Sequence, residues 1–445
     1  TLLGETRQAV VVDCHDECRP NALGAAVGAV DGGGLLVLLT PPLSHWPNRR
    51  DDFDATLAVP PFERDQVIGY FRRRLVWTLR EHRGVAIVAV GGEGENEISD
   101  ESDVGDVELT ERGDAIVRDG HVDASPRLPR EAPAAPTDHR FPAAAYEACL
   151  TADQADAVAA LEALDEDGAA VVVEADRGRG KSSAAGLAAA ALALKGKDVL
   201  VTAPGYRNAG AVFERAEELL VDLGELADRD RDEDPRVVAT ETGRVRFVPA
   251  DEARELPDDP DVAIVDEAAS LPVRVLEDFL DAPSVAFATT VHGYEGAGRG
   301  FAVRFRDRLA ESDFSVQDVH LADPIRYAPG DPVEVWAFRA LCLDASPAAD
   351  PLVADARSDS VAYRRFSSAD LLDDEHALRE VFGLLVLAHY RTEPNDLARM
   401  LDAPNVTTRA LLEDGHVVAV ALLAREGGLS AERRARMYSG ERVKG

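Results

Sequence analysis

The chain has 445 residues, 46% of them hydrophobic and 29% charged, a globular composition with material for about three domains of ~150 residues each. Its 48 basic residues against 82 acidic ones leave a formal net charge of −34. The apolar content excludes a disordered chain, and the spread of acids along the whole sequence excludes an acidic tail.

The charge instead fits a cytoplasmic surface built for a salt-rich interior, where the Debye length shrinks toward ~3 Å and self-repulsion is screened. Net charge therefore says nothing against an RNA partner. No apolar run reaches the roughly 18 residues of a transmembrane helix, and no secretory-signal pattern opens the sequence. Neither a membrane partner nor an oligomeric state is predicted.

The fold class reads as α/β and multidomain. In residues 1–90, a β-branched run at 9–12 precedes helical spacing at 22–30. Gly32-Gly33-Gly34 marks a turn, and 35–39 reads as a buried strand. An arginine-rich amphipathic stretch at 62–83 leads to another buried strand at 85–90, which makes a small Rossmann-like βαβ domain. Residues 91–140 form an acidic, glycine-rich excursion followed by a proline-rich linker.

Residues 141–345 are the most regular. Strands at 169–173, 199–203, 245–248, 262–265, 285–290 and 316–319 alternate with helices at 181–194, 209–223, 273–280 and 303–311. Apolar strands spaced by helices predict a parallel sheet covered on both faces. A short helix at 333–343 and a spacer follow.

From 360 the pattern restarts with a strand at 362–366 and a helical stretch at 368–391, for which Ser368 or Asp370 offers an N-cap. A hairpin then runs over 406–412 and 417–424, turned at Asp414-Gly415. The sequence ends in a basic helical stretch with Arg433, Arg434 and Arg436. A strand–helix–hairpin unit with an open edge is expected to be the first part of a longer, truncated domain. The four cysteines are too few for a disulfide scaffold. Cys14, His15 and Cys18 lack a second pair at zinc spacing and read as plain thiols.

Chemistry concentrates in the middle segment. Glu174-Ala175-Asp176-Arg177-Gly178-Arg179-Gly180-Lys181-Ser182 follows a strand and opens a helix, as a phosphate-binding loop does, although Ala175 stands where the motif has its first glycine. Gly178 and Gly180 allow backbone amides to turn onto phosphate oxygens. Lys181 supplies a compact charge for the β/γ-phosphates, and Ser182 a hydroxyl ligand for Mg²⁺. The chain spends one of only four lysines at that position.

The strand at 262–265 runs into Asp266-Glu267, a Walker B pattern. Asp266 would hold Mg²⁺ and Glu267 would orient or deprotonate the attacking water. The catalytic candidates are therefore Lys181, Asp266 and Glu267, and the metal candidates Ser182 and Asp266. Arg299, in the glycine-rich segment after Thr289-Thr290, and Arg326 are candidate γ-phosphate arginines. Gln154 is a candidate reader of the adenine edge. Arg72-Arg73-Arg74 and 433–436 are basic clusters that could meet RNA, though in helical settings such clusters read as solvated or salt-bridged faces.

Several of these segments together resemble the tRNA(Met) cytidine acetyltransferase family. They are Arg177-Gly178-Arg179-Gly180-Lys181-Ser182, Val265-Asp266-Glu267-Ala268-Ala269, the run from Thr289 to Phe301, Gly32-Gly33-Gly34-Leu35-Leu36, and the run from His389 to Leu397. The resemblance implies an N-terminal α/β domain, a P-loop RecA/helicase-like ATPase module at 141–345, and the first part of a GNAT-like α+β domain at 360–445. It implies formation of N4-acetylcytidine in RNA, typically at the wobble base of elongator tRNA(Met), with acetyl-CoA and ATP. Gln154, Arg177, Gly178, Arg179, Gly180, Lys181, Ser182, Ser183 and Arg326 match the family's ATP-binding positions. The family's acetyl-CoA loop, Arg/Gln-x-x-Gly-x-Gly, does not occur in the sequence, so the main acetyl-CoA site is expected beyond residue 445. An RNA-dependent ATPase or helicase without transferase activity is the alternative.

Overall fold

In the computed structural model, residues 6–90, 108–109, 115–120, 133–176, 178–230, 236–290, 305–388 and 392–440 are described. The chain divides into two compact units, one of Thr1–Ala124 with Gly330–Gly445 and one of Ser125–Pro329.

In the first unit, β1 (Arg7–Asp13) and β2 (Val30–Leu39) pair in parallel around α1 (Pro20–Val27). The three glycines expected to make a turn lie inside β2. Pairing jumps from Arg7–Val30 to Ala9–Leu35, and Gly33 takes φ +78°, so the extra residues form a bulge and the strand continues past it. After α2 (Asp52–Leu57), the helix expected over 62–83 is confined to α3 (Tyr70–Glu81), with a 3₁₀ turn at Arg64–Gln66 ahead of it. β3 (Ile87–Ala89), β4 (Glu108–Leu109) and β5 (Ala115–Arg118) make a small antiparallel sheet in the order β3-β5-β4.

The second unit carries the large sheet. α4 (Ala143–Glu147) and α5 (Ala152–Leu161) precede β6 (Ala169–Ala175), α6 (Lys181–Leu194), β7 (Asp198–Thr202) and α7 (Tyr206–Leu223). β8 (Asp228–Arg229), β9 (Val237–Ala239), β10 (Arg244–Phe247), α8 (Ala250–Ala253) and β11 (Val262–Val265) follow. α9 (Val273–Asp278), β12 (Ser284–Thr290), α10 (Arg306–Ala310) and β13 (Ser315–Leu321) complete it. The strand order is β13-β6-β12-β11-β7-β10-β9-β8. From β13 to β10 the neighbours are parallel, and β9 and β8 add an antiparallel edge.

Alternate residues of β6 feed opposite faces. Val171, Val173 and Ala175 pack with α5, α6 and α7, while Ala170 and Val172 pack with Leu276, Phe305 and Leu309, as a parallel sheet covered on both sides requires. Alanine-rich α6 is almost wholly buried. At Gly186 a β-carbon would lie 2.3 Å from the Val212 carbonyl oxygen, so α6 and α7 approach closer than any larger residue allows.

The chain returns to the first unit with α11 (Pro332–Leu341), α12 (Asp350–Val353), β14 (Ala362–Phe366), α13 (Ser368–Asp373) and α14 (Glu375–Ala388). α15 (Pro394–Asp402), β15 (Val406–Glu413), β16 (His416–Ala424) and α16 (Ala431–Tyr438) follow, with β14, β15 and β16 forming an antiparallel sheet in that order. The single helix expected over 368–391 is broken at Asp374 (φ −116°, ψ 86°). Ser367, one residue before the expected cap, closes a capping box with Asp370.

Arg72 and Arg74 prove to be interior residues. Arg72 is paired with Asp51 at 3.0 Å and with Asp54 at 2.5 Å. Arg74 donates to Glu375 Oε1 at 2.8 Å and to the carbonyls of Ala340 and Arg339. Cys14, Cys18, Cys149 and Cys342 are buried free thiols. No helix among the described residues is long and apolar enough to cross a membrane.

Candidate nucleotide site

The loop between β6 and α6 leaves the carboxyl end of a strand flanked in parallel by β13 and β12, where an open parallel sheet forms its ligand crevice. Gly178 and Gly180 both take left-handed backbone angles, φ +77° and +88°. That sharp double turn aims the first amides of α6 back toward the loop, leaving an anion cradle at a helix N-terminus. At Gly180 a β-carbon would lie 2.0 Å from Gln154 Nε2, so only glycine fits.

The loop is held from two sides. Gln154, fully buried, donates from Nε2 to the Gly180 carbonyl at 3.2 Å and accepts the Leu150 amide at 2.8 Å. The Ile325 amide donates to the Gly178 carbonyl at 2.9 Å. Arg326, half-buried, runs alongside Gly178. Arg179 is buried against Tyr327, its guanidinium 5.8 Å from the ring centroid and Nη1 donating to the hydroxyl at 3.3 Å. Asp153, at the start of α5, accepts the amides of Ala322 and Asp323 at 2.7 and 2.9 Å, which fixes the segment that carries Arg326 and Tyr327.

Lys181 and the acidic pair converge. β12 lies between β6 and β11, so the ends of all three strands face one spot. Lys181 Nζ meets Glu267 Oε1 at 2.7 Å, and Thr290 donates its hydroxyl to Glu267 Oε2 at 3.1 Å. Glu267 takes φ +49°, a left-handed angle uncommon for a residue with a β-carbon, and such strain concentrates where function over-determines the backbone.

Asp266 is completely buried. Its amide donates to the Thr202 carbonyl, which extends the β7–β11 ladder by one bond, and Oδ1 accepts the Glu267 amide at 2.9 Å. Burial pushes the Asp266 carboxyl up to about 6, against the pull of Lys181, with Glu267 adding to the rise and the nearby Ser182 hydroxyl lowering it.

Among the described residues, Asp266 Oδ2 has no hydrogen-bond partner. That orphaned carboxylate oxygen, with the Ser182 hydroxyl beside Asp266, is the donor chemistry a hard divalent cation takes up.

Ser183 is used differently. Its hydroxyl accepts Arg215 Nε at 3.1 Å, and Arg215 also donates to the Ala148 carbonyl, so Ser183 ties α6 to α7. Arg177, Arg299 with the rest of 291–304, and His389 to Arg391 lie outside the described residues. Thr202, Asp153 and the hydroxyl of Thr290 carry no motif of their own. The strand-end position of Thr290 was the one signal in the sequence.

Comparison with known proteins fits this site. Residues 172–344 match the family described as RNA cytidine acetyltransferase NAT10/TcmA, helicase domain, and residues 1–90 match tRNA(Met) cytidine acetyltransferase TmcA, N-terminal. Relatives named tRNA(Met) cytidine acetyltransferase TmcA are 62% identical over 445 residues in Haloarcula marismortui and 61% over 447 in Haloferax volcanii, each across 100% of this chain. One from Pyrococcus abyssi is 36% identical across 96% of it. The chain spans 55%, 56% and 51% of those three proteins' own lengths. With its N-terminal and helicase segments both matched and its full length aligned, the chain belongs to the tRNA(Met) cytidine acetyltransferase family.

Proposed function

We propose that the chain carries the ATP-hydrolysing module, and the first part of the acetyl-transfer module, of an enzyme that acetylates N4 of cytidine in tRNA(Met) using acetyl-CoA and ATP. The observation that carries the ATPase reading is the meeting of Lys181 with Glu267 at 2.7 Å across three strands. The names of the relatives support the acetyl-transfer reading.

In the proposed cycle the amides of 178–182 and the Lys181 ammonium bind the β- and γ-phosphates. The phosphates compete with Glu267 for Lys181, so ATP binding releases the Glu267 carboxylate. Thr290 keeps hold of its other oxygen, and the freed Oε1 orients water for attack on the γ-phosphorus and accepts its proton. Ser182 and Asp266 are the residues that would hold Mg²⁺, whose contribution is to neutralise charge on the phosphate oxygens. Arg326, and Arg299 with it, are the proposed γ-phosphate arginines. Gln154 acts as a positioning residue for the loop. The hydrolysis step would remodel RNA so that a stacked cytidine becomes accessible, at a cost of a few kcal/mol per base.

Steady-state phosphate release tests the site. Lys181→Ala should lose both ATP binding and turnover. Glu267→Gln should bind ATP and lose turnover by about 10²-fold or more, the range a positioned base contributes. A Lys181→Ala variant that keeps wild-type phosphate release overturns the assignment. Nucleoside mass spectrometry on tRNA, with a protein as long as the relatives, should find acetylcytidine that depends on both ATP and acetyl-CoA.

A further inference from the structure

A second cluster of chemistry lies in the first unit, away from any motif of the sequence. His376 and Glu380 are four residues apart on α14, so their side chains share one helix face. His416 opens β16 directly after the turn at Asp414 (φ +48°) and Gly415 (φ +91°). The pairing of Glu413 with His416 across that turn fixes where the His416 imidazole begins.

His376 Nε2 lies 3.2 Å from Glu380 Oε1, and His416 Nδ1 lies 2.8 Å from the same oxygen. All three donor atoms fall within 4.8 Å of one another. The imidazoles meet edge to face, 5.2 Å between centroids. Glu380 is buried, His416 half-buried and His376 exposed.

We propose that His376 Nε2, Glu380 Oε1 and His416 Nδ1 form a binding site for a divalent first-row transition metal of the zinc type. Two imidazoles and one carboxylate make a borderline-soft donor set that suits zinc and excludes magnesium or calcium, which take oxygen ligands. Bonds of about 2.0–2.1 Å in a tetrahedron set ligand atoms about 3.3 Å apart. The observed 3.2 and 2.8 Å to Glu380 lie close to that spacing, and with all three atoms within 4.8 Å of one another ligation asks for side-chain adjustment of the two rings.

The carboxylate is already oriented from behind, since the Val417 amide donates to Glu380 Oε2 at 2.8 Å, the outer-shell support that metal-bound carboxylates use. A buried carboxylate facing two nitrogens gains a full counter-charge when a dication enters. The ion would clamp the β15–β16 hairpin to α14.

Co²⁺ titration of the metal-stripped chain tests this, in about 1 M KCl so that the acidic surface is screened. The expected result is one Co²⁺ per chain with a visible d–d band, displaced one for one by Zn²⁺ and unaffected by excess Mg²⁺. His376→Ala, at an exposed position, should leave the metal-free unfolding midpoint unchanged and weaken Co²⁺ binding by at least about tenfold. His416→Gln should do the same to binding, and Zn²⁺ should raise the unfolding midpoint of the wild type but of neither variant. Binding that is equal in wild type and both variants, or a Co²⁺ spectrum of purely aqueous type, overturns the site.

Discussion

Gly180 shows how tightly a single position can be specified. Its φ of +88° costs a residue with a β-carbon roughly 1–2 kcal/mol, and the β-carbon itself would fall 2.0 Å from Gln154 Nε2. Gly180→Ala should therefore push Gln154 off the loop carbonyl and tilt the first turn of α6. The expected outcome is a stability loss of about 1–2 kcal/mol in urea unfolding and ATP affinity at least tenfold weaker by direct titration, because the amide cradle is lost with the turn. Wild-type ATP affinity in Gly180→Ala would show that the cradle does not depend on this geometry.

At this scale the sequence was informative about residue types and silent about partners. Lys181, Asp266 and Glu267 were readable because a glycine turn after a strand and an acidic pair after another each carry their own spacing. The Lys181–Glu267 pair and the Thr290 hydroxyl were not. They follow from β12 lying between β6 and β11, and strand order is a property of the folded sheet. Gln154 illustrates the same limit: its place before β6 was legible, and its grip on the Gly180 carbonyl was not.

Among the elements, α3 is the instructive departure. Its amphipathic pattern extends back to residue 62, yet the helix starts at Tyr70, where Gly69 offers no side chain to cap it. The cap arrives from the far end of the sequence, since Asp402 Oδ1 accepts the amides of Tyr70 at 2.7 Å and Phe71 at 3.1 Å. Nothing local signals a partner more than 300 residues away. The short edge strands β8 and β9 leave no signature in the sequence because two or three residues are too few for a period. Buried strands such as β6 and β11 were readable from unbroken apolar runs.

Burial pushes the Asp402 carboxyl up to about 7, with the two backbone donors and Arg72 pulling the other way. A carboxyl raised in the folded state binds its proton more tightly there than when unfolded. Its contribution to stability is thus full below about pH 4 and lost as pH rises toward 7. Asp402→Asn keeps an oxygen for the two amides and removes the titration. The variant should match the wild type in denaturant unfolding near pH 4 and exceed it in stability at pH 8. A variant less stable than the wild type at pH 8 would mean that the ionised carboxylate is the better cap.

For the molecule as a whole, the net charge of −34 sets the largest solvent-dependent term. The buried pairing of Arg72 with Asp51 and Asp54 is sheltered from salt. The excess of acids has no such shelter, and repulsion among them falls as the Debye length shrinks from ~10 Å at 0.1 M to ~3 Å at 1 M. The unfolding midpoint should therefore climb steeply with KCl up to about 1 M and flatten beyond it, where nearest acidic neighbours are already screened. NaCl should trace the same curve at equal ionic strength. Exclusion of salt from apolar surface makes the opposite forecast, a continued rise at multimolar salt and a larger effect of sulfate than of chloride at matched ionic strength. Thermal melts in KCl, NaCl and K₂SO₄ separate the two. A midpoint indifferent to KCl below 1 M would remove self-repulsion as the governing term and leave the acidic surface without an energetic role in this fold.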